Sequence, residues 1–214
     1  MVTSLCGAEC GATGQPVASY KDYCAPVAFR KYGNPFFALI GCDVSVADIT
    51  DPAAIAALVA SGDIALGPIG KLDLPSPTAT TSEDVNICAG ATVISTTYVL
   101  NFTSYQTAGD DCEYWNTFLK NHASYRIVWF NCDGEIYASG EYIDYMRDTS
   151  GTPDAVTGNP GFQFTVTSPP HEVEGDGKKV RWETSLSIEL DGSEIIRRAF
   201  IPGLFDAFKP VAAV

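Results

Sequence analysis

Seven cysteines, two histidines and 26 acidic residues are the side chains of this chain that could hold a metal, attack a carbonyl or move a proton. Cys6 and Cys10 lie close together in Cys-Gly-Ala-Glu-Cys, with Cys24 further on. Zinc sites usually bring two close pairs, often with histidine. Here there is one pair, and His122 and His171 are distant in sequence, so no metal site is expected. The N-terminal stretch Met1-Val2-Thr3-Ser4-Leu5-Cys6 has neither a basic region nor an apolar core, which predicts no secretory signal. An odd cysteine count without such a signal predicts seven free thiols in a reducing cytosol. His122 falls on the apolar stripe of a predicted helix and is expected to be packed. His171 follows Pro169-Pro170 and is expected in a turn facing solvent. A nucleophile elbow, a phosphate-binding loop and a dinucleotide fingerprint are all missing from the sequence. Asp110-Asp111 lacks the spaced oxygen ligands of a calcium loop and is better placed at a helix start. Asp133-Gly134, Asp176-Gly177 and Asp191-Gly192 are turn signals first. Asn101-Phe102-Thr103 matches a glycosylation acceptor by coincidence, since it lies inside a predicted strand. The expectation is a chain without catalytic, cofactor-binding or metal-ligating residues, and not an enzyme.

The elements that would position any site are clearest from Thr96 to Tyr142. Tyr98, Leu100 and Phe102 alternate with Thr97, Asn101 and Thr103, which predicts a half-buried strand. Trp115, Phe118, Leu119 and His122 then recur at helical spacing and give one apolar stripe. Arg126-Ile127-Val128-Trp129-Phe130 predicts a strand, Asp133-Gly134 a tight turn, and Glu135-Ile136-Tyr137-Ala138 the returning strand. A helix this short must lie on a sheet to be stable. Trp115, Phe118, Leu119, Trp129, Phe164 and Trp182 are expected to be buried together. Tyr142 and Tyr145 alternate at an expected strand end.

Upstream, residues 1–35 show no sustained period and are expected to form an irregular arm. Phe36-Phe37-Ala38-Leu39-Ile40 reads as a buried strand. Asp51 to Gly62 carries helix start and stop signals, with Thr50 or Asp51 as the cap, Pro52 in the first turn and Gly62 just past the end. Ile64-Ala65-Leu66 reads as a short strand. The Ser/Thr tract with Pro75 and Pro77 predicts a connection with little secondary structure over residues 71–92. Downstream, residues 147–161 form a long loop full of breakers. Residues 162–167 alternate cleanly. Val180, Trp182, Leu186, Ile188 and Leu190 share one face of a long strand, with Thr184 as its polar exception, and Arg181, Glu183, Ser185, Ser187 and Glu189 share the other, which is expected to meet water or a partner. Residues 194–200 read as the last strand, and the tail carrying Leu204, Phe205 and Phe208 must dock. This order predicts a mainly β, α+β chain. An N-terminal arm and helix-containing region would span residues 1–90, and an antiparallel β-sandwich or barrel-like domain with one helix packed on its sheet would span residues 91–214.

Charge narrows the partners. The chain has 214 residues, 46% hydrophobic and 18% charged, with a formal net charge of -13. That balance suits a globular protein and argues against a tight grip on phosphates, which needs Lys and Arg. No apolar run reaches the length of a membrane span. Ten tyrosines and three tryptophans suit either a large core or an interface.

From Thr96 onward the order of elements resembles that of bacteriophage tail tube proteins. The resemblance rests on the strand ending at Tyr105, the helix over residues 112–124 and the hairpin across Asp133-Gly134. It continues in the loop 147–161 and the alternating strands 162–167 and 180–190. It covers a little over half of the chain, in pattern and not in signature. It implies a β-sandwich with a flanking helix that self-assembles into hexameric rings, stacked as a conduit for DNA. The partners would then be copies of itself and other virion proteins, with DNA passing without specific binding and with no membrane. The location would be the virion, assembled in the host cytoplasm. An acidic lumen would repel the phosphate backbone. The region before residue 90 has no clear counterpart in a minimal tube protein, which leaves a capsid decoration or neck protein as an alternative. A non-viral β-sandwich binding module would also explain the alternation.

Overall fold

The computed structural model describes residues 35–49, 52–73, 77–82, 92–104, 111–147, 158–174, 180–191 and 196–208. Nine strands are present among them: β1 (Phe36–Gly41), β2 (Ile64–Asp73), β3 (Thr78–Ser82), β4 (Thr92–Ser104), β5 (Tyr125–Phe130), β6 (Glu135–Ala138), β7 (Thr165–Glu174), β8 (Val180–Asp191) and β9 (Arg197–Phe200). Four helices accompany them: α1 (Pro52–Ser61), α2 (Asp111–Asn121), α3 (Gly140–Arg147) and α4 (Leu204–Phe208). The strands form one open antiparallel sheet in the order β7-β8-β4-β2-β1-β5-β6-β9, with β3 on the remaining edge of β4. The mainly β class with flanking helices is therefore what the alternating segments led one to expect. Strands from both sides of residue 90 belong to this one sheet, with β1 and β2 lying between β4 and β5.

β1 is apolar throughout because both of its faces are covered. Phe36, Ala38 and Ile40 point into a core shared with Ile55 of α1, Tyr142 and Ile143 of α3, and Leu204, Phe205 and Phe208 of α4. Phe37 and Leu39 point into a second core with Leu100 and Phe102 of β4, Leu186 and Ile188 of β8, Trp129 of β5, and Trp115 and Phe118 of α2. The second core joins strands from both halves of the sheet, so the arrangement is β-sandwich-like. α2 stands between the halves: the Trp115 ring is 6.5 Å from that of Phe37 and 6.2 Å from that of Trp182.

β2 carries the chain from one half to the other. Residues Ile64 to Ile69 pair with β1, and Gly70 to Asp73 pair with β4. A Cβ at Gly67 would collide with the Phe37 carbonyl oxygen, and one at Gly70 with the carbonyl oxygen of Thr103. Glycine in a strand interior permits such a close backbone approach. On the far side, the Phe162 and Ile127 backbones exchange two hydrogen bonds of 2.9 Å. The segment entering β7 thus lies beside β5, and the sheet curls toward itself without closing.

Several expectations need correction. Thr78–Ser82 is a strand, although residues 71–92 were expected to carry little secondary structure; β-branched residues extend readily, and β4 is long enough to pair with them. Tyr142 and Tyr145 lie on a helix. The Ser139 hydroxyl accepts the Tyr142 N–H at 3.3 Å, which caps that helix, and Glu141 and Arg147 suit its two ends. Leu119 is 41% exposed, because the buried stripe of α2 runs through Tyr114, Trp115 and Phe118, leaving Leu119 beyond its edge. β7 continues through Pro169-Pro170 to Glu174, so His171 is exposed on a strand and not in a turn. Proline is tolerated there because this is the sheet's edge. Cys42 is disulfide-bonded, which overturns the expectation of seven free thiols. The arm before residue 35 and loop residues 148–157 lie outside the described residues.

Other expectations hold. Trp115, Phe118, Trp129 and Phe164 are buried in one cluster, with Trp182 packed against it. Gly62 and Gly134 have φ of 87° and 78°, in the left-handed region that ends α1 and turns the β5–β6 hairpin. Leu204, Phe205 and Phe208 dock as α4. His122 is half-buried, its ring stacked on Phe118 at 5.5 Å.

Candidate functional surface

The residues with chemical potential do not converge. Among the described residues no group of three or more His, Cys, Asp or Glu could hold a metal ion. His122 donates from Nδ1 to the Phe118 carbonyl at 3.1 Å, at the C-terminal end of α2. His171 likewise donates to the Pro169 carbonyl at 2.9 Å. Burial, with Tyr145 close by, pushes the Tyr142 phenol well above its usual range. The Ser45 hydroxyl and backbone N–H hold the Asp48 carboxyl below its ordinary value. Tyr142 and Asp48 lie on the helix-covered half of the sheet, and a third perturbed group, Arg198 of β9, has its pKa raised by its hydrogen bond to the Tyr137 hydroxyl and by Glu135.

What does converge is a sheet face. Even-numbered β8 residues from Trp182 to Leu190 turn toward the second core, so the odd-numbered ones turn outward. Directly opposed residues of antiparallel strands share a face, and the register then lays out six rows. Val173 and Arg181 form the first. His171, Glu183, Thr103 and Lys71 form the second, and Ser168, Ser185, Asn101 and Asp73 the third. Thr165, Ser187 and Val99 follow, then Glu189, Thr97 and Thr78, and finally Asp191, Ser95 and Thr80, where Ser95 is buried and its neighbour Ile94 exposed, so the alternation of β4 ends at this row. Hydroxyls and amides dominate the middle. Ser185 Oγ donates to Asn101 Oδ1 at 2.7 Å, and Thr167 Oγ1 to the Ser185 carbonyl at 3.0 Å.

The charge on this face is graded. Both cations sit at one end, and each is paired with a carboxylate two residues along its own strand. Arg181 Nε is 3.3 Å from Glu183 Oε1, and Lys71 Nζ is 2.9 Å from Asp73 Oδ2. Glu189 and Asp191 occupy the other end and have no ion-pair partner among the described residues. Four carboxylates against two cations leave the face net acidic. The single residue of this strand whose polarity breaks the pattern, Thr184, is buried on the core side and satisfied by donating to the Ser168 carbonyl at 2.8 Å.

Sequence reading identified the outward set on β8 and β4 but not its extension onto β2 and β3, which depends on pairings across the chain. It also missed Asn159. Its Nδ2 donates to the carbonyls of Gly41 at 2.8 Å and Val44 at 2.9 Å, and its Oδ1 accepts the Gly161 N–H at 2.9 Å. The neighbouring residues bond too: the Gly158 carbonyl accepts from Val46 N–H and the Pro160 carbonyl from Ser139 N–H. A polar residue in a breaker-rich run gives no sign of such partners, since the Gly41 and Val44 carbonyls are remote in sequence.

No protein-family model, curated protein or solved structure matches the chain.

Proposed function

We propose that this chain is a structural subunit of a bacteriophage virion, a tail tube protein whose copies form stacked, hexameric rings through which DNA passes. The observation that carries this reading is the open face of β7, β8, β4, β3 and the end of β2. It is broad, rich in hydroxyls and net acidic, and its opposite side is core. A face of that chemistry stays wet and offers a phosphate backbone repulsion in place of a grip. The disulfide at Cys42 suits a protein that works outside a reducing cytosol, in the mature particle. The subunit's partners are its own copies and other virion proteins, and its contact with DNA is transient and not sequence-specific.

Size-exclusion chromatography with negative-stain imaging tests the proposal. Rings or tubes at high protein concentration are the expected result. A compact monomer under all conditions, including in the presence of the other virion proteins, overturns it in favour of a β-sandwich binding module.

A further inference from the structure

The two ion pairs of the open face share a geometry that bears on what the face refuses. Residues two apart on a strand point to the same side, so Glu183 stands beside Arg181, and Asp73 beside Lys71. The two pairs overlap in the second row, where Glu183 and Lys71 lie on either side of Thr103. All four side chains are well exposed, between 34% and 64%. Exposed pairs of this kind add little to stability, so their main effect is on the local field. Among the described residues Arg181 and Lys71 are the cations of this face, and a polyanion would anchor at their end in preference to the other, which carries Glu189 and Asp191.

We propose that Glu183 and Asp73 are counter-charges that stop Arg181 and Lys71 from holding nucleic-acid phosphates, so that the face stays non-adhesive at the end where its described cations lie. The purpose of that masking rests on the conduit reading, whereas the masking itself does not. A guanidinium already engaged by a neighbouring carboxylate gains less from a phosphate, because binding must first break the existing pair.

The test is retention of a random-sequence DNA duplex flowed at low ionic strength over densely immobilised full-length protein. The parent should not retain it. Glu183→Gln should retain it at least on the order of fivefold more than Glu189→Gln, which removes the same charge from the same strand face but unmasks no cation. The gain should fade as salt is raised and vanish in the double variant Glu183→Gln/Arg181→Gln. Thermal unfolding of each variant verifies that it is folded. Equal retention by the two single variants would make net charge the whole explanation and overturn the proposal. Retention by the parent, or by neither variant, would overturn it too. Because this readout needs no ring, masking without assembly would sink the conduit reading alone.

Discussion

Asn159 shows how much of this fold can hang on one side chain. Its three hydrogen bonds fix the end of β1, the turn after it and the approach to β7 together. Asn159→Ala leaves the Gly41 and Val44 carbonyls without their amide donor, and stability should fall by about 2 kcal/mol. A urea titration measures this as a lower midpoint at unchanged slope; an unaltered midpoint would show that the clamp is dispensable. α2 supplies a second contrast at this scale. Trp115 is 1% exposed and packed among Phe37, Phe118 and Trp182, whereas Leu119 is 41% exposed. Trp115→Ala should therefore cost roughly 3–5 kcal/mol, and Leu119→Ala no more than about 0.5 kcal/mol. Equal losses from the two would contradict the described orientation of the helix.

Among the elements, those marked by local periodicity were legible: β1 from its apolar run, α2 from its aromatic stripe, the β5–β6 hairpin from Asp133-Gly134, and β8 from its alternation. Those defined by remote partners were not. Thr78–Ser82 has no apolar face of its own and is a strand because β4 lies beside it. α3 is short, and its two tyrosines fit period two as well as helical spacing, so only its docking on Ile49 and the α4 side of the core decides its form. The bend in β2 was equally hidden, since glycines at 67 and 70 look like strand breakers until Phe37 and Thr103 are seen against them. Gly70→Ala should cost about 1–3 kcal/mol through overpacking. Hydrogen exchange should locate the damage, with faster exchange of the amides at the β2–β4 junction than of those in β1. Uniform acceleration, or none, would contradict the bend's dependence on glycine.

At the level of the whole molecule, the candidate surface was half legible. Its β8 and β4 residues could be listed from alternation, but neither its rows nor its charge gradient could be, because both arise from register between strands far apart in sequence. If the proposed rings form, the long loop is expected to contact neighbouring subunits. Removing residues 147–161 entire would take Asn159 with it and damage the fold. Deleting 148–157 keeps the clamp, so the subunit should unfold at nearly the parent temperature while ring closure or stacking is impaired, as seen by negative stain. Normal assembly of that deletion would remove the loop from the list of contacts between subunits.

The central place of β1 has a consequence for how the protein is made. Its partner β5 is encoded roughly ninety residues later. At ordinary translation speeds of about 5–20 residues per second, the wait is on the order of 5–20 s. Throughout it, Phe36-Phe37-Ala38-Leu39-Ile40 can pair with β2 and meet α1, but it lacks β5 and the parts of both cores contributed by β5, α3, β8 and α4. Such a pause leaves an apolar strand open to other nascent chains. Yield on expression should then depend on chaperone supply and on growth temperature more than on the final stability of the folded chain.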